Sequence, residues 1–165
     1  MTMIDVQKDP AARTLTFTAR FDAPVERVWQ VWADPRQLER WWGPPGYPAT
    51  FADFELAPGR EVGYFMTGPD GKRYHGWWRI LSVNPPRGLE FEDGFADDDG
   101  RPNPDMPTTT ARVTLEPDGE GTRMLIESTF PTNDAMEQLV AMGMVEGMRE
   151  AMGQIPSIVG ADPAA

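Results

Sequence analysis

The sequence predicts an α+β domain: an antiparallel sheet of about seven strands with one long C-terminal helix stretched across it and two short helices after the first strand. Three observations carry this. Residues 47–130 read as strand after strand, with two-residue alternation and Pro/Gly punctuation. From Met136 onward the apolar period changes to that of a helix. Between the first strand and the rest stand two helix-start signals, Asp22-Ala-Pro24 and Asp34-Pro35. Segregated strands and helices of this kind pack as an α+β domain.

Residues 1–12 are polar up to Asp9-Pro10 and are expected to form a flexible lead-in. In 13–21, Leu15, Phe17, Ala19 and Phe21 alternate with Thr and Arg, as in a half-buried strand. Val25, Val28, Trp29 and Trp32 then fall on one helical face, and Leu38, Trp41 and Trp42 form the apolar side of a second short helix, ended by Gly43-Pro-Pro-Gly46. Strands are expected over 48–56, 60–67 and 72–83, the second presenting Val62, Tyr64 and Met66 on one face. Asn84-Pro-Pro86 breaks the pattern before Leu89, Phe91 and Phe95. Residues 96–107 make a loop long for a compact domain, a candidate gate. A last hairpin covers 108–116 and 122–130. The ladder Met136, Leu139, Val140, Gly143, Met144, Gly147, Met148, Ala151, Met152 and Ile155 predicts one amphipathic helix of about 20 residues, capped by Thr132, Asn133 or Asp134. Gly153 and Pro156 end or kink it, and 160–165 form a tail. No internal repeat and no second domain is evident over 13–159.

Composition removes several function classes. The chain has 165 residues and no cysteine, which excludes disulfides, a thiol nucleophile and thiolate metal sites. Its one histidine, His75, excludes a two-histidine metal site. No metal and no cofactor is expected. Lys+Arg number 15 against 26 Asp+Glu, a net charge of −11 that repels nucleic acid and anionic membrane. No apolar run is long enough to span a bilayer, so no integral membrane contact is expected. The start, MTMIDVQKDP, has no signal-peptide pattern, and a soluble cytoplasmic protein is the default expectation.

Asp97-Asp98-Asp99-Gly100 fails as a calcium loop by register, because the first and twelfth positions would be Phe95 and Met106. No phosphate-binding loop or nucleophile elbow occurs. His75, Asp53, Glu55 and Glu127 lie on predicted strands, where exposure to water is the commoner state. Any of them turned into an apolar cavity would be a candidate acid or base. No catalytic residue is assigned.

The most informative feature is the pair Gly143 and Gly147 on the inner face of the last helix. Each costs about 1 kcal/mol relative to Ala in a helix interior. Either tight packing or a void explains them. The soft, adaptable Met144, Met148 and Met152 beside them favour a void that holds a ligand. The expected lining is Trp42, Tyr64, Met66, Trp78, Phe95, Met106, Gly143, Met144, Gly147 and Met148. Trp77 and Trp78 are adjacent in a strand, so only one faces inward.

The ordered set FDAPVERVWQVWADPRQLERWW, ELAPG, PDGKRYHGWWRILSVNPPRGLEFED, GTRMLIESTF and GMVEGMREAMGQI resembles the SRPBCC (START-like) superfamily over about residues 13–159. Within it, the chain is most similar to the subfamily named after the activator of the ninety-kilodalton heat-shock protein ATPase. The resemblance implies a helix-grip fold, a curved antiparallel sheet wrapped on the C-terminal helix with a hydrophobic cavity between them. Gly59-Arg60, where members usually carry two glycines, and Pro156, where the helix usually continues, depart from the pattern. Three functions stay open, since fold does not fix function. The first is non-catalytic binding of a small aromatic or lipid-like molecule. The second is a cyclase- or hydrolase-type enzyme using an inward carboxylate, a tyrosine or His75. The third is a chaperone-partner domain with a contact patch around Trp77 or Trp41. Two ionisable groups converging in the cavity would favour the second. Self-association into a homodimer is compatible with each.

Overall fold

The computed structural model describes residues 4–160. The elements are β1 (Ile4–Asp9), β2 (Thr14–Phe21), α1 (Val25–Ala33), α2 (Pro35–Trp41), β3 (Ala49–Ala52), β4 (Glu61–Thr67), β5 (Arg73–Asn84), β6 (Gly88–Phe95), β7 (Thr109–Asp118), β8 (Gly121–Thr129), α3 (Asn133–Ala141), α4 (Met144–Met152) and α5 (Ile155–Val159). The strands form one antiparallel sheet in the order β1-β2-β8-β7-β6-β5-β4-β3. Helices α1 and α2 carry the chain from β2 to β3 at the opposite edge. The α+β class and its antiparallel sheet are as the sequence predicts.

The sheet has eight strands rather than about seven, and the extra one overturns the flexible lead-in. Ile4–Asp9 pairs with β2 along its whole length, from Ile4↔Ala19 to Asp9↔Thr14. Asp9 Oδ1 accepts from the backbone N–H groups of Ala11 and Ala12, which fixes the turn. Lys8 pairs with Glu137 of α3 at 2.6 Å, tying this edge to the helical layer. Only Ile4 and Val6 pack toward the core, too few to give a periodic signal. Of the expected tail, 161–165 lies outside the described residues.

Strand alternation sorts the side chains into two faces. The inner face carries Leu15, Phe17, Ala19 and Phe21 of β2, Trp78 and Ile80 of β5, Leu89 and Phe91 of β6, Ala111, Val113 and Leu115 of β7, and Met124 and Ile126 of β8, all buried. An aromatic knot forms where α1 and α2 meet this face. Trp78 stacks on Phe91 at 4.0 Å, and Trp32 meets Trp41 edge-to-face at 4.7 Å. Trp41 Nε1 donates to the Val31 carbonyl at 2.8 Å, so its polar atom is satisfied in the interior.

The single long helix is also corrected: the segment divides into α3, α4 and α5. Thr132 caps α3 by accepting from Ala135 N–H at 3.0 Å. The first break is at Gly143, whose φ of +93° is left-handed. An L side chain resists that conformation. Gly143 therefore does not occupy a helix interior; it turns the backbone between α3 and α4. The second break follows Gly153, and Pro156 sits in the first turn of α5.

Candidate functional site

Between the inner face and the α3–α4 segment lies a cavity of about 280 Å³, partly open to solvent. Eight of the ten expected residues line it: Trp42, Tyr64, Met66, Phe95, Gly143, Met144, Gly147 and Met148. Trp78 does not. It is completely buried in the aromatic knot, one layer beneath the floor. Met106 does not line the cavity either; its sulfur lies 4.0 Å from Gln138 Nε2 on α3, and Pro107 takes its place at the rim. The 96–107 loop is tied to itself, with Asp97 N–H bonded to the Arg101 carbonyl and Asn103 N–H to the Phe95 carbonyl. It borders the cavity through Pro107.

The two glycines differ in what they do. A Cβ at Gly147 would meet nothing within 4 Å, and its backbone is ordinary helix. This is real empty space facing the cavity. Gly143 also has free space, but its left-handed φ is reason enough for glycine. Close packing explains neither.

The floor carries chemistry that the sequence reading missed. On β6, Leu89, Phe91, Asp93 and Phe95 share the inward phase, so Asp93 stands at an apolar position of the strand. Tyr64 reaches it from two strands away. Tyr64 on β4 is opposite Gly76 on β5. A Cβ at Gly76 would come within 2.5 Å of the Tyr64 ring and hydroxyl, so only glycine lets the phenol lie across β5. The hydroxyl then donates to Asp93 Oδ1 at 3.1 Å. Phe51 supports the ring from its other side, stacked at 5.0 Å. The Thr109 hydroxyl donates to the Asp93 carbonyl at 3.4 Å.

Burial pushes the Asp93 carboxyl up to about 7, with the Tyr64 hydrogen bond pulling the other way. Burial first and the nearby Asp93 charge second raise the Tyr64 hydroxyl well above its ordinary value, while the Trp42 indole N–H opposes that rise. Trp42 is near enough to act on the phenol oxygen but has no acceptor within hydrogen-bond geometry, and its Nε1 is fully buried. A buried donor left unpaired costs about 1–3 kcal/mol. Among the described residues, no Lys, Arg or His lines the cavity.

The other candidates for acid–base work stand elsewhere. With Gly76 and Trp78 inward, His75 and Trp77 are on the outer face, His75 beside Phe65 at 5.6 Å. Asp53 and Glu55 are exposed, and Glu127 lies between buried Ile126 and Ser128 on the outer side of β8. Among the described residues no group of His, Asp and Glu could hold a metal ion. No helix among them is long and apolar enough to cross a membrane. Trp41 is fully buried and offers no surface to a partner; Trp77 lies across Gly94, half-buried.

Comparison with solved structures and family models agrees with this fold. Comparison with curated proteins finds no match. Among solved structures, the chain is similar to protein Ms6760 from Mycobacterium smegmatis, with 46% identity, 97% of this chain and 99% of that chain covered, and a TM-score of 0.89. It is also similar to a protein from Arthrobacter aurescens, with 48% identity, coverage of 96% and 92%, and a TM-score of 0.92. CalU16 from Micromonospora echinospora, at 22% identity and a TM-score of 0.57 with 97% and 87% covered, shares the fold alone. The family model described as Activator of Hsp90 ATPase homolog 1-like protein matches residues 22–160, and the chain belongs to that family.

Proposed function

We propose that the protein binds a small apolar, preferably aromatic, molecule in the cavity between its sheet and its C-terminal helices. The observation that carries this reading is the open space at Gly147 between Met144 and Met148. Apolar surface leaving water stabilises such a complex by about 25 cal/mol per Å². The methionines adapt to the shape of the guest. A cavity of about 280 Å³ lies at the small end of ligand pockets, which suits a compact ring system better than an extended lipid chain. The test is mass spectrometry of small molecules released from the purified protein, with uptake of the neutral fluorophore 1-aminonaphthalene as a second readout. Release of no organic molecule together with no fluorophore uptake refutes the reading.

One observation favours an enzyme instead. Tyr64 and Asp93 are two ionisable groups in hydrogen-bond contact at the cavity, and the Asp93 carboxyl is poised near neutrality. If this pair moves protons on a substrate, the co-purified molecule is chemically altered on incubation with the wild type and unaltered with Asp93→Asn. A binder returns it unchanged from both.

A further inference from the structure

The polar end of the cavity is chemically one-sided. Asp93 is half-buried, faces inward and lines the cavity. The Tyr64 hydroxyl holds Oδ1 at 3.1 Å, and Oδ2 makes no hydrogen bond among the described residues. Among those residues the unpaired side-chain atoms sealed from water are Arg27 Nε, Trp42 Nε1 and Trp78 Nε1, so the unpaired Oδ2 is open to water. The inward phase of Asp93 puts that opening on the cavity side. No cation of the described lining answers it. Tyr64 is the other titratable residue there. Strand β5 sets Trp78 opposite Asp93, β7 brings the Thr109 hydroxyl to its backbone carbonyl, and α3 and α4 bring Leu139, Met144, Met148 and Ala151 to the lining. Ionised Asp93 is therefore a negative charge with one neutral donor and no counter-ion.

We propose that the cavity selects a compact apolar amine, whose protonated nitrogen pairs with Asp93 Oδ2 while its hydrocarbon body packs on the methionines. This deepens the binding reading above and rests on it. An ammonium supplies both the donor that Oδ2 lacks and the charge that the lining lacks. A neutral hydroxyl supplies the donor alone, and a ketone supplies neither. A carboxylate sets a second negative charge beside the first. Taking both ions out of water opposes the pairing. The cavity is partly open, which leaves the nitrogen part of its hydration while the body is covered. The net charge of −11 draws cations toward the chain and turns anions away. Burial holds the free Asp93 carboxyl near 7, and a bound cation pulls it down, so uptake at neutral pH releases protons from Asp93.

The experiment is a fluorescence titration of the full chain at pH 7.5 with 2-naphthylmethylamine, 2-naphthylmethanol, 2-methylnaphthalene and 2-naphthoate, which share one ring system and differ in charge and donor. The expected result is the amine binding about tenfold or more tighter than each of the others. At about pH 5, where Asp93 is protonated, its advantage over the alcohol falls to within about threefold. Asp93→Asn brings the same collapse at pH 7.5. If that variant fails to fold, the wild type at the two pH values carries the test. The alcohol, the hydrocarbon or the naphthoate binding as tightly as the amine overturns the selectivity and leaves the cavity reading standing. An advantage that persists undiminished at about pH 5, or in folded Asp93→Asn, does the same. Absence of binding by all four overturns the cavity reading beneath it.

Discussion

The floor and the wall of the cavity are built on opposite principles. The floor, from β4 to β6, is overdetermined. Tyr64 rests on Gly76 with no room for a methyl group, stacks on Phe51 and bonds Asp93, while Trp78 and Phe91 seal it from beneath. The wall is loose where α3 meets α4. Met144, Val145 and Met148 are half-buried, Met142 is exposed, and Gly147 faces open space. A rigid polar platform fixes the orientation of a guest and a soft apolar cover fits its shape, so chemistry belongs to the sheet and adaptability to the helices.

Substitutions break the floor harder than the wall. Trp78→Ala empties the layer under the floor and is expected to cost about 3–5 kcal/mol in denaturant unfolding. A loss under about 1 kcal/mol would mean that the aromatic knot does not support the site.

Asp93 sets a pH dependence of its own. Its carboxyl is near 7 folded against 3.8 as the ordinary value. Below about pH 4 both the folded and unfolded chains hold this proton, so the group is neutral to stability. As pH rises toward 7 the unfolded chain releases it first, and folding stability falls, levelling off above about pH 7. Full expression of the shift is on the order of 4 kcal/mol, an upper bound because the cavity is partly open to water. Thermal melts of wild type and Asp93→Asn between pH 4 and 8 isolate the effect. The variant should gain on the wild type steadily across that window, and parallel curves would contradict the burial assigned to Asp93.

Gly76→Ala is expected to cost about 1–3 kcal/mol by overpacking, and to detach Tyr64 from Asp93. Tyrosine absorbance during alkaline titration reads the second effect directly, because loss of the Asp93 contact changes the ionisation of Tyr64. The smallest effects have opposite signs on the wall. Gly143→Ala should destabilise by about 1–2 kcal/mol through its left-handed backbone. Gly147→Ala should stabilise by up to about 1 kcal/mol through helix propensity. Equal effects at the two sites would erase the distinction between them.

Much of this was legible in the residues themselves. Inward phases of β2, β4, β7 and β8 follow from simple alternation, and the Met-Gly ladder pointed to the wall. Asp93 is equally legible. Leu89, Phe91 and Phe95 set a two-residue phase in which position 93 must face inward, and an acid in that phase is the signal. The break at Gly143 was not legible. The helical ladder keeps its phase across it, so only the backbone angle distinguishes a turning glycine from a spacing one. Trp78 shows a related limit, because alternation gives the face of a residue but not its depth, while Met106 lies in a loop where no alternation places it. β1 escaped because an edge strand buries too little to be periodic.

The central claim is that the space beside Gly147 is the guest's place. Titration of the Gly147→Leu variant with 1-aminonaphthalene tests it most directly, with the melting temperature measured in parallel. The account predicts a folded protein at least as stable as wild type that no longer takes up the fluorophore. Uptake at wild-type affinity by the folded variant, or unfolding caused by the added side chain, would contradict it.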